Sequence, residues 1–358
     1  MASTAVPIEQ SSILRAMVKA ATVAPSPDNN QPWLFRETTA GLDVYLDRAR
    51  SLPSDVKSMF DMTALGAAVE NAVIAASEFE MQTEVICAAN DVIDQKAEQP
   101  IAQLRLRSGG DRDPLYSAID DRCTCRKPYS SSPLPTSVQE ELTASCDRFA
   151  DVRVSWLSSS EDKKKFGTLI ASTDALRFQH QPFHEELFRQ LRFRLRDVES
   201  TRDGLDVRTL ELPPGVTTVL GWLRSWSVMN TVHRLRLTSL LTVPSAISVR
   251  MSGAVAIVSV SVPTAEAFFN GGRAIQRLWL AGTNLGLSMH PLGSLPIFLL
   301  QPDPKPAFRS TIEKAKCGVD ALFPKLKGRV MQLGLRVGYS KPPSYRSLRR
   351  PPTDMLIK

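Results

Sequence analysis

Two apolar helices, set 206 residues apart, constrain this chain more than any other feature. Residues Met62–Phe79 are rich in alanine. Leu65, Val69, Ala72, Val73 and Ala76 fall on one stripe at helical spacing, and Ala68 and Ala75 are small enough for close packing. The segment Gly66–Ala76 lines up with Gly272–Gly282 at a constant offset, inside a second helix predicted over Gly271–Leu285. Each helix follows a strand, near Val44 and near Ile257, at about the same offset. Helices this apolar must be buried against other elements. Two of them in equivalent places point to two similar halves packed on each other. Any two core helices share part of this pattern, so the echo alone also fits a chance likeness.

The remaining signals divide the chain. A helix is predicted over Ser11–Ala21, then a turn-rich loop, Pro25–Trp33, and a strand near Leu42–Leu46. Strands are predicted near Thr83–Ala88 and Ala102–Arg107. The run Ser108–Pro114 reads as a linker, placing a first half at 1–112 and a second at 113–358. Beyond it, Thr136 is expected to cap a helix, with Glu140 in its first turn. Strands follow over Val152–Leu157, Ala254–Val260 and Val330–Val337. Residues 162–250 read as irregular and helical, rich in Arg, Leu and Trp.

Charge excludes some function classes. The formal net charge is +7, which invites a nucleic-acid or membrane partner. The last 58 residues hold 13 Lys+Arg against 4 Asp+Glu, so the remainder is slightly acidic. The excess is a local feature of the tail, and neither partner is expected. Arg189, Arg192, Arg194 and Arg196 have few interleaved aromatics and read as a solvated edge. No run of 18 apolar residues is present, so no spanning helix is expected, and Glu9, Arg15 and Lys19 interrupt any leader-like stretch. Five scattered cysteines without a CxxC pair fit reduced thiols in a cytoplasm. His180 and His184 are spaced like metal ligands, but Pro182 lies between them and no third ligand follows, so no metal is expected. Dinucleotide-fold, P-loop and esterase signatures are absent from the sequence.

One set of residues suits a phosphorylated, planar ligand. Arg122 and Arg126 are four apart and can converge on phosphate oxygens. Arg349, with Arg346 or Arg350 beside it, supplies a second cationic wall. Asn29 and Gln31 are neutral amides that donate and accept, and Ser26 and Thr124 add hydroxyls. Pro291, Leu292 and Gly293 form a segment whose backbone can approach a ring. Singly, each reads as turn former or solvated charge. Only their order along the chain points to a site.

That order resembles the flavin nitroreductase family. Pro25-Ser-Pro-Asp-Asn-Asn-Gln-Pro-Trp33 resembles its P-S-x-x-N-x-Q-P-W signature, and Arg122-Cys-Thr-Cys-Arg126 resembles its R-R-S-x-R start. Gly286–Gly293 and the tail Leu335–Tyr339 with Arg346–Arg350 resemble its later segments. Family members are about half as long and pair as dimers with FMN at the interface. Here the first half carries the loop and the second half carries the other motifs. The chain is thus similar to the long, fused, Acg-type branch. The resemblance implies an α+β fold, nitroreductase-like, with two fused halves as an intramolecular pseudo-dimer and mixed sheets flanked by helices. It implies one FMN held by Ser26, Asn29, Gln31, Arg122, Thr124, Arg126, Pro291, Leu292, Gly293, Arg346, Arg349 and Arg350. It further implies NADH or NADPH as candidate electron donor, a small organic substrate, and 180–250 as a lid over the flavin. The alternative is a flavin-storing protein with an occluded site. Further pairing of such pseudo-dimers is left open.

Overall fold

The computed structural model describes residues 8–89 and 99–357. The chain begins with α1 (Ile8–Thr22), then the hairpin strands β1 (Trp33–Thr38) and β2 (Gly41–Leu46). Helix α2 (Met59–Ser77) is followed by β3 (Met81–Cys87) and β4 (Ala102–Ser108). Helix α3 (Thr136–Ala144) and β5 (Arg153–Leu157) come next. Then follow α4 (Ser160–Gln179), α5 (Gln181–Gln190), the short β6 (Leu191–Arg192), α6 (Leu195–Thr201) and β7 (Leu205–Asp206). Helices α7 (Val216–Leu223), α8 (Trp226–Arg234) and α9 (Thr238–Arg250) lead to β8 (Ala254–Val260). The chain continues through α10 (Ala265–Asn284), β9 (Ser288–Leu292), α11 (Ser294–Leu300) and α12 (Pro306–Leu322) into β10 (Val330–Gly338).

The architecture is α+β, and one strand order occurs twice. The first sheet runs β1-β2-β4-β3 and the second β5-β8-β10-β9. Each sheet has a strand, a long core helix, an edge strand and a return strand in matching order: β2-α2-β3-β4 and β8-α10-β9-β10. The first two strands differ in their connection. A tight hairpin joins β1 to β2, whereas α4 to α9 intervene between β5 and β8.

All pairings within the two four-stranded sheets are antiparallel. Among the described residues, parallel pairing, expected from mixed sheets, is confined to the two-residue β6/β7 pair and to two isolated bridges, Phe35 with Leu356 and Thr124 with Met289. The reason is connectivity: hairpins and short returns bring strands back antiparallel, and only distant segments lie alongside in parallel.

Helices α2 and α10 pack on each other at the centre. An added Cβ on Gly66 would overlap the Phe269 carbonyl, and one on Gly272 would overlap the Thr63 carbonyl. The two contacts exchange under the 206-residue offset. So do two polar ones: Arg277 Nη1 donates to Glu70 Oε1 at 2.9 Å, and Gln276 Nε2 donates to Asn71 Oδ1 at 2.6 Å. By length and composition α2 is apolar enough to cross a membrane, but 83% of its apolar window is buried inside the protein. It is a core helix.

Several local expectations change. β1 begins at Trp33, where a loop was expected, because Pro32 ends the turn and Trp33 pairs with Leu46. β9 contains Pro291 and is a sheet edge, where a missing N–H is tolerated. Pro135 occupies the N-cap of α3 and Thr136 is its first helical residue, without a capping hydrogen bond. The linker Ser108–Pro114 is bolted down: Asp113 accepts from Arg277 Nη1 at 2.7 Å, and its N–H donates to Ser77 Oγ at 2.9 Å.

Candidate functional site

The loop between α1 and β1 is tightly wound. Asp28, Asn29 and Gln31 all have positive φ (47°, 59° and 53°), a region that non-glycine residues seldom enter. Local hydrogen bonds hold it: Gln31 N–H donates to Ser26 Oγ at 3.0 Å, and Asn30 N–H donates to the Pro27 carbonyl at 2.9 Å. Distant segments complete the restraint. Asn29 Nδ2 donates to the carbonyls of Gly204 and Leu348, both at 3.0 Å. Arg349 Nη1 donates to Asn29 Oδ1 at 2.6 Å.

The tail reaches this loop by crossing the molecule. After β10 it runs extended past Arg346 and Arg349, then docks on the first sheet. Ile357 N–H donates to the Phe35 carbonyl at 2.9 Å, and Trp33 Nε1 contacts Met355 Sδ at 3.1 Å. On the opposite side, Cys125 N–H donates to the Met289 carbonyl at 3.0 Å, which pins residues 122–126 beside β9.

These segments enclose a cavity of about 640 Å³. Its floor comes from the central helix pair, with Phe60, Thr63, Ala64 and Ala67 from α2 and Ile275 and Trp279 from α10. Ten of the twelve expected residues line it: Ser26, Asn29, Arg122, Thr124, Arg126, Pro291, Leu292, Gly293, Arg346 and Arg349. Gln31 and Arg350 do not line it. The Gln31 amide is taken up elsewhere, donating to the Arg202 carbonyl at 2.9 Å and accepting from Arg350 N–H at 2.9 Å. Arg350 follows Arg349 in extended chain, so the two side chains point to opposite sides. Its guanidinium donates to the Asp354 carbonyl at 2.9 Å. Asn29 lines the cavity, but its amide ties the loop to the tail, so it is a clamp on the protein itself.

Electrostatics single out one end. Arg122 is buried; its guanidinium donates to the Val23 carbonyl at 3.0 Å and lies 4.8 Å above the Trp279 ring. Burial, with Arg349 and Arg346 adding like charge, lowers its pKa to about 9. Arg349 is lowered to about 10, again by burial and then by Arg346. Arg346 Nη2 donates to the Arg122 carbonyl at 3.0 Å. Among the described residues, none of these three forms an ion pair, and the Nε groups of Arg122 and Arg349 are buried without an acceptor.

The other end is set by β9. Buried Arg336 Nε donates to His290 Nδ1 at 3.1 Å. An arginine can only donate, so the neutral ring carries its proton on Nε2, and His290 lines the cavity. Burial first, then Arg336 and Arg126, holds His290 well below its ordinary pKa. Arg126 donates to the Thr209 carbonyl at 3.2 Å. A Cβ on Gly293 would press on the Phe60 ring at 3.1 Å, so a bare backbone suits this position.

Sequence reasoning missed Asp28, Asp174 and Arg177, which line the cavity with Phe183, Ser245 and Ser248. Arg177 Nη2 stands 3.7 Å from Asp28 Oδ2. The two spaced histidines do separate packing jobs: His184 contacts the Leu223 carbonyl at 2.8 Å, and His180 packs edge-on against Phe183 and Phe308.

No family model matches the chain. It is 27% identical over 353 residues to an uncharacterized protein of Mycobacterium tuberculosis (strain CDC 1551 / Oshkosh), covering 96% of this chain and 48% of that one. The chain therefore spans about half the length of the curated relative it matches. Among solved structures it is similar to an FMN-bound nitroreductase from Bacteroides fragilis, at 11% identity and TM-score 0.39, covering 67% of this chain and 95% of that one. It is also similar to the FMN-dependent nitroreductase NfnB from Mycobacterium smegmatis in complex with NADPH, at 14% identity and TM-score 0.40, covering 66% and 94%.

Proposed function

We propose that the cavity is an FMN site and that the chain is a flavin-dependent oxidoreductase of nitroreductase type. In this reading 1–112 and 113–358 are fused halves forming an intramolecular pseudo-dimer, and 180–250 is the lid. The observation that carries it is the arginine cluster at one end of the cavity. A buried cation without a counter-charge is costly, so Arg122, buried beside the part-buried Arg349 with the exposed Arg346 at their edge, is arranged to meet an anion. A phosphate monoester brings about two negative charges and three acceptor oxygens. The unpaired Nε groups of Arg122 and Arg349 fit that demand.

The rest of the cavity fits a planar ring. Trp279, Ile275 and Phe60 give apolar walls, and the Pro291–Gly293 backbone lies along one edge. FMN, when bound, supplies hydride transfer at its N5. The chain's own residues bind, orient and shield. Arg122, Arg346 and Arg349 hold the phosphate. The α2/α10 pair supports the ring from the junction of the two repeated units. His290 offers a fixed N–H donor. Phe183, Thr209, Ser245 and Ser248, from 180–250, keep bulk water out. NADH or NADPH is the candidate donor, and a nitroaromatic, a quinone or a biosynthetic intermediate is the candidate acceptor.

A storage role has one observation in its favour: Arg202, Gly204 and Glu186 from the lid all bind the first half directly. Anaerobic NADH or NADPH decides between the two. Rapid bleaching of the flavin band marks the oxidoreductase, and a flavin that never bleaches with any donor marks storage. For the site itself, Arg122→Ala with Arg349→Ala is expected to abolish flavin retention with secondary structure unchanged. Full flavin occupancy in that folded double variant would refute the assignment.

A further inference from the structure

The segment from α7 to α9 carries an exposed face that the cavity does not use. Trp222, Leu235 and Leu240 are 67%, 63% and 63% exposed. On α9, Leu240, Val243 and Ile247 are exposed at spacings of three and four, which is one helical stripe, and the exposed C-cap residue Met251 continues it. The opposite side of α9, with Thr238, Thr242 and Val249, is buried. Between these sides, Ser245 and Ser248 line the cavity. The turn before α9 presents Leu235, Arg236 and Leu237 in succession, all exposed.

The charges around this face are of one sign. Arg224, Arg234, Arg236 and Arg250 are exposed, and no ion pair holds any of them among the described residues. No Asp or Glu occurs from Leu212 to Ala265. A second copy seated here would oppose arginine to arginine with no acid between. An anionic surface meets the same charges favourably. Trp222, Leu235 and Leu240 each keep more than half of their surface in solvent. Anchors of that kind sink into an acyl layer, with arginines left among the headgroups. Exposed tryptophan and leucine flanked by arginine is the pattern of a helix lying in a membrane interface.

We propose that α7–α9 docks the protein on an anionic lipid surface. A search for a spanning segment does not detect such a face, because docking needs only a shallow apolar stripe and basic flanks. Helix α9 then has two roles. It lies on the lipid by one side, while Ser245 and Ser248 on another side line the cavity.

Vesicle sedimentation of the full-length protein tests this. It should pellet with phosphatidylcholine vesicles containing phosphatidylglycerol and not with phosphatidylcholine alone. Arg234→Gln with Arg236→Gln should weaken binding about 25-fold, from about five-fold per arginine near such a surface. Leu240→Ser with Ile247→Ser should abolish it, and high salt should weaken it. Trp222 in the unaltered protein should be quenched by brominated lipid, with Trp222→Phe as control. The proposal is overturned by pelleting with neither vesicle, by equal pelleting with both, or by binding that both double variants retain. It is also overturned if the protein sediments as a dimer that Leu240→Ser with Ile247→Ser dissolves, since a second copy then covers the face.

Discussion

At the scale of single residues, His290 shows how a neighbour can fix the chemistry of a side chain. Its Nδ1 accepts from Arg336, and Arg336 also packs 4.1 Å from the Tyr129 ring and donates to the Cys125 carbonyl at 3.2 Å. The imidazole is thereby a donor at Nε2 and resists protonation. Because its folded pKa is lowered, the stability it contributes is present above its unfolded pKa, about 6.5, and is lost as pH falls below it. We expect the imidazole nitrogen shifts of His290 to stay constant from about pH 8 down to about pH 6. Arg336→Gln should move the titration upward towards its ordinary value. A wild-type His290 that titrates with an ordinary pKa would refute the lock. His290 stands out in the sequence just before Pro291–Gly293 and reads there equally as a structural donor, but its lock was not legible, because Arg336 lies 46 residues away and meets it only through the β9/β10 pairing. Arg122 and Arg126 were legible as cations that line the cavity, but the convergence expected of them does not form: Arg122 stands with Arg346 and Arg349, whereas Arg126 lies near His290 and donates to the Thr209 carbonyl. Gln31 was misread because the groups that consume its amide come from residues 202 and 350.

At the scale of elements, the central pair α2/α10 was largely legible, and its close approach rests on two glycines. In an exposed helix, Gly→Ala stabilises by about 1 kcal/mol. Here the sign should reverse. A methyl on Gly66 meets the Phe269 carbonyl and one on Gly272 meets the Thr63 carbonyl. Each Gly→Ala change is expected to cost about 2–3 kcal/mol in urea unfolding; a gain in stability would show that the helices do not approach this closely. The N-terminus of α2 adds a pH dependence. Asp55 accepts from the N–H groups of Phe60 and Asp61 at 2.9 Å each. Burial, then Asp61, raises Asp55 to about 7, and burial raises Asp61 to about 6 against Ser51 and Arg48. For raised carboxylates the favourable contribution is complete below the unfolded pKa, about 3.9, and is lost as pH rises through about 6–7. Asp61→Asn should therefore stabilise the protein at about pH 8, on the order of 2 kcal/mol, with the difference fading towards about pH 4. A pH-independent difference would contradict the buried pair. Strand β1 was missed because its alternation starts directly after the Pro32 turn, and β9 because it contains a proline.

At the scale of the whole molecule, the tail couples the two sheets to the site. It leaves β10 in the second sheet, brings Arg346 and Arg349 to the cavity, and ends on the edge of the first sheet at Phe35. The basic excess seen in the sequence therefore has mixed uses: two of its arginines face the cavity, while Arg350 turns away. The crossing could not be read from composition, because it depends on where a fully buried Met355 finds its pocket beside Trp33. That anchor is far from the arginines in contacts but joined to them by an extended chain. If the tail acts as one tether, loosening its end should loosen the site. Met355→Ala is expected to cost about 2–4 kcal/mol of stability through the cavity it leaves. It should also weaken flavin binding at least about ten-fold, since Arg346 and Arg349 would then be ordered only on binding, and each immobilised side chain costs about 0.5–1.5 kcal/mol. Titration of the folded variant with FMN checks this directly. Lower stability with unchanged FMN affinity would show that local contacts suffice, those of Arg349 with Asn29 and Ala24 and those of Arg346 with the Asp120 and Arg122 carbonyls.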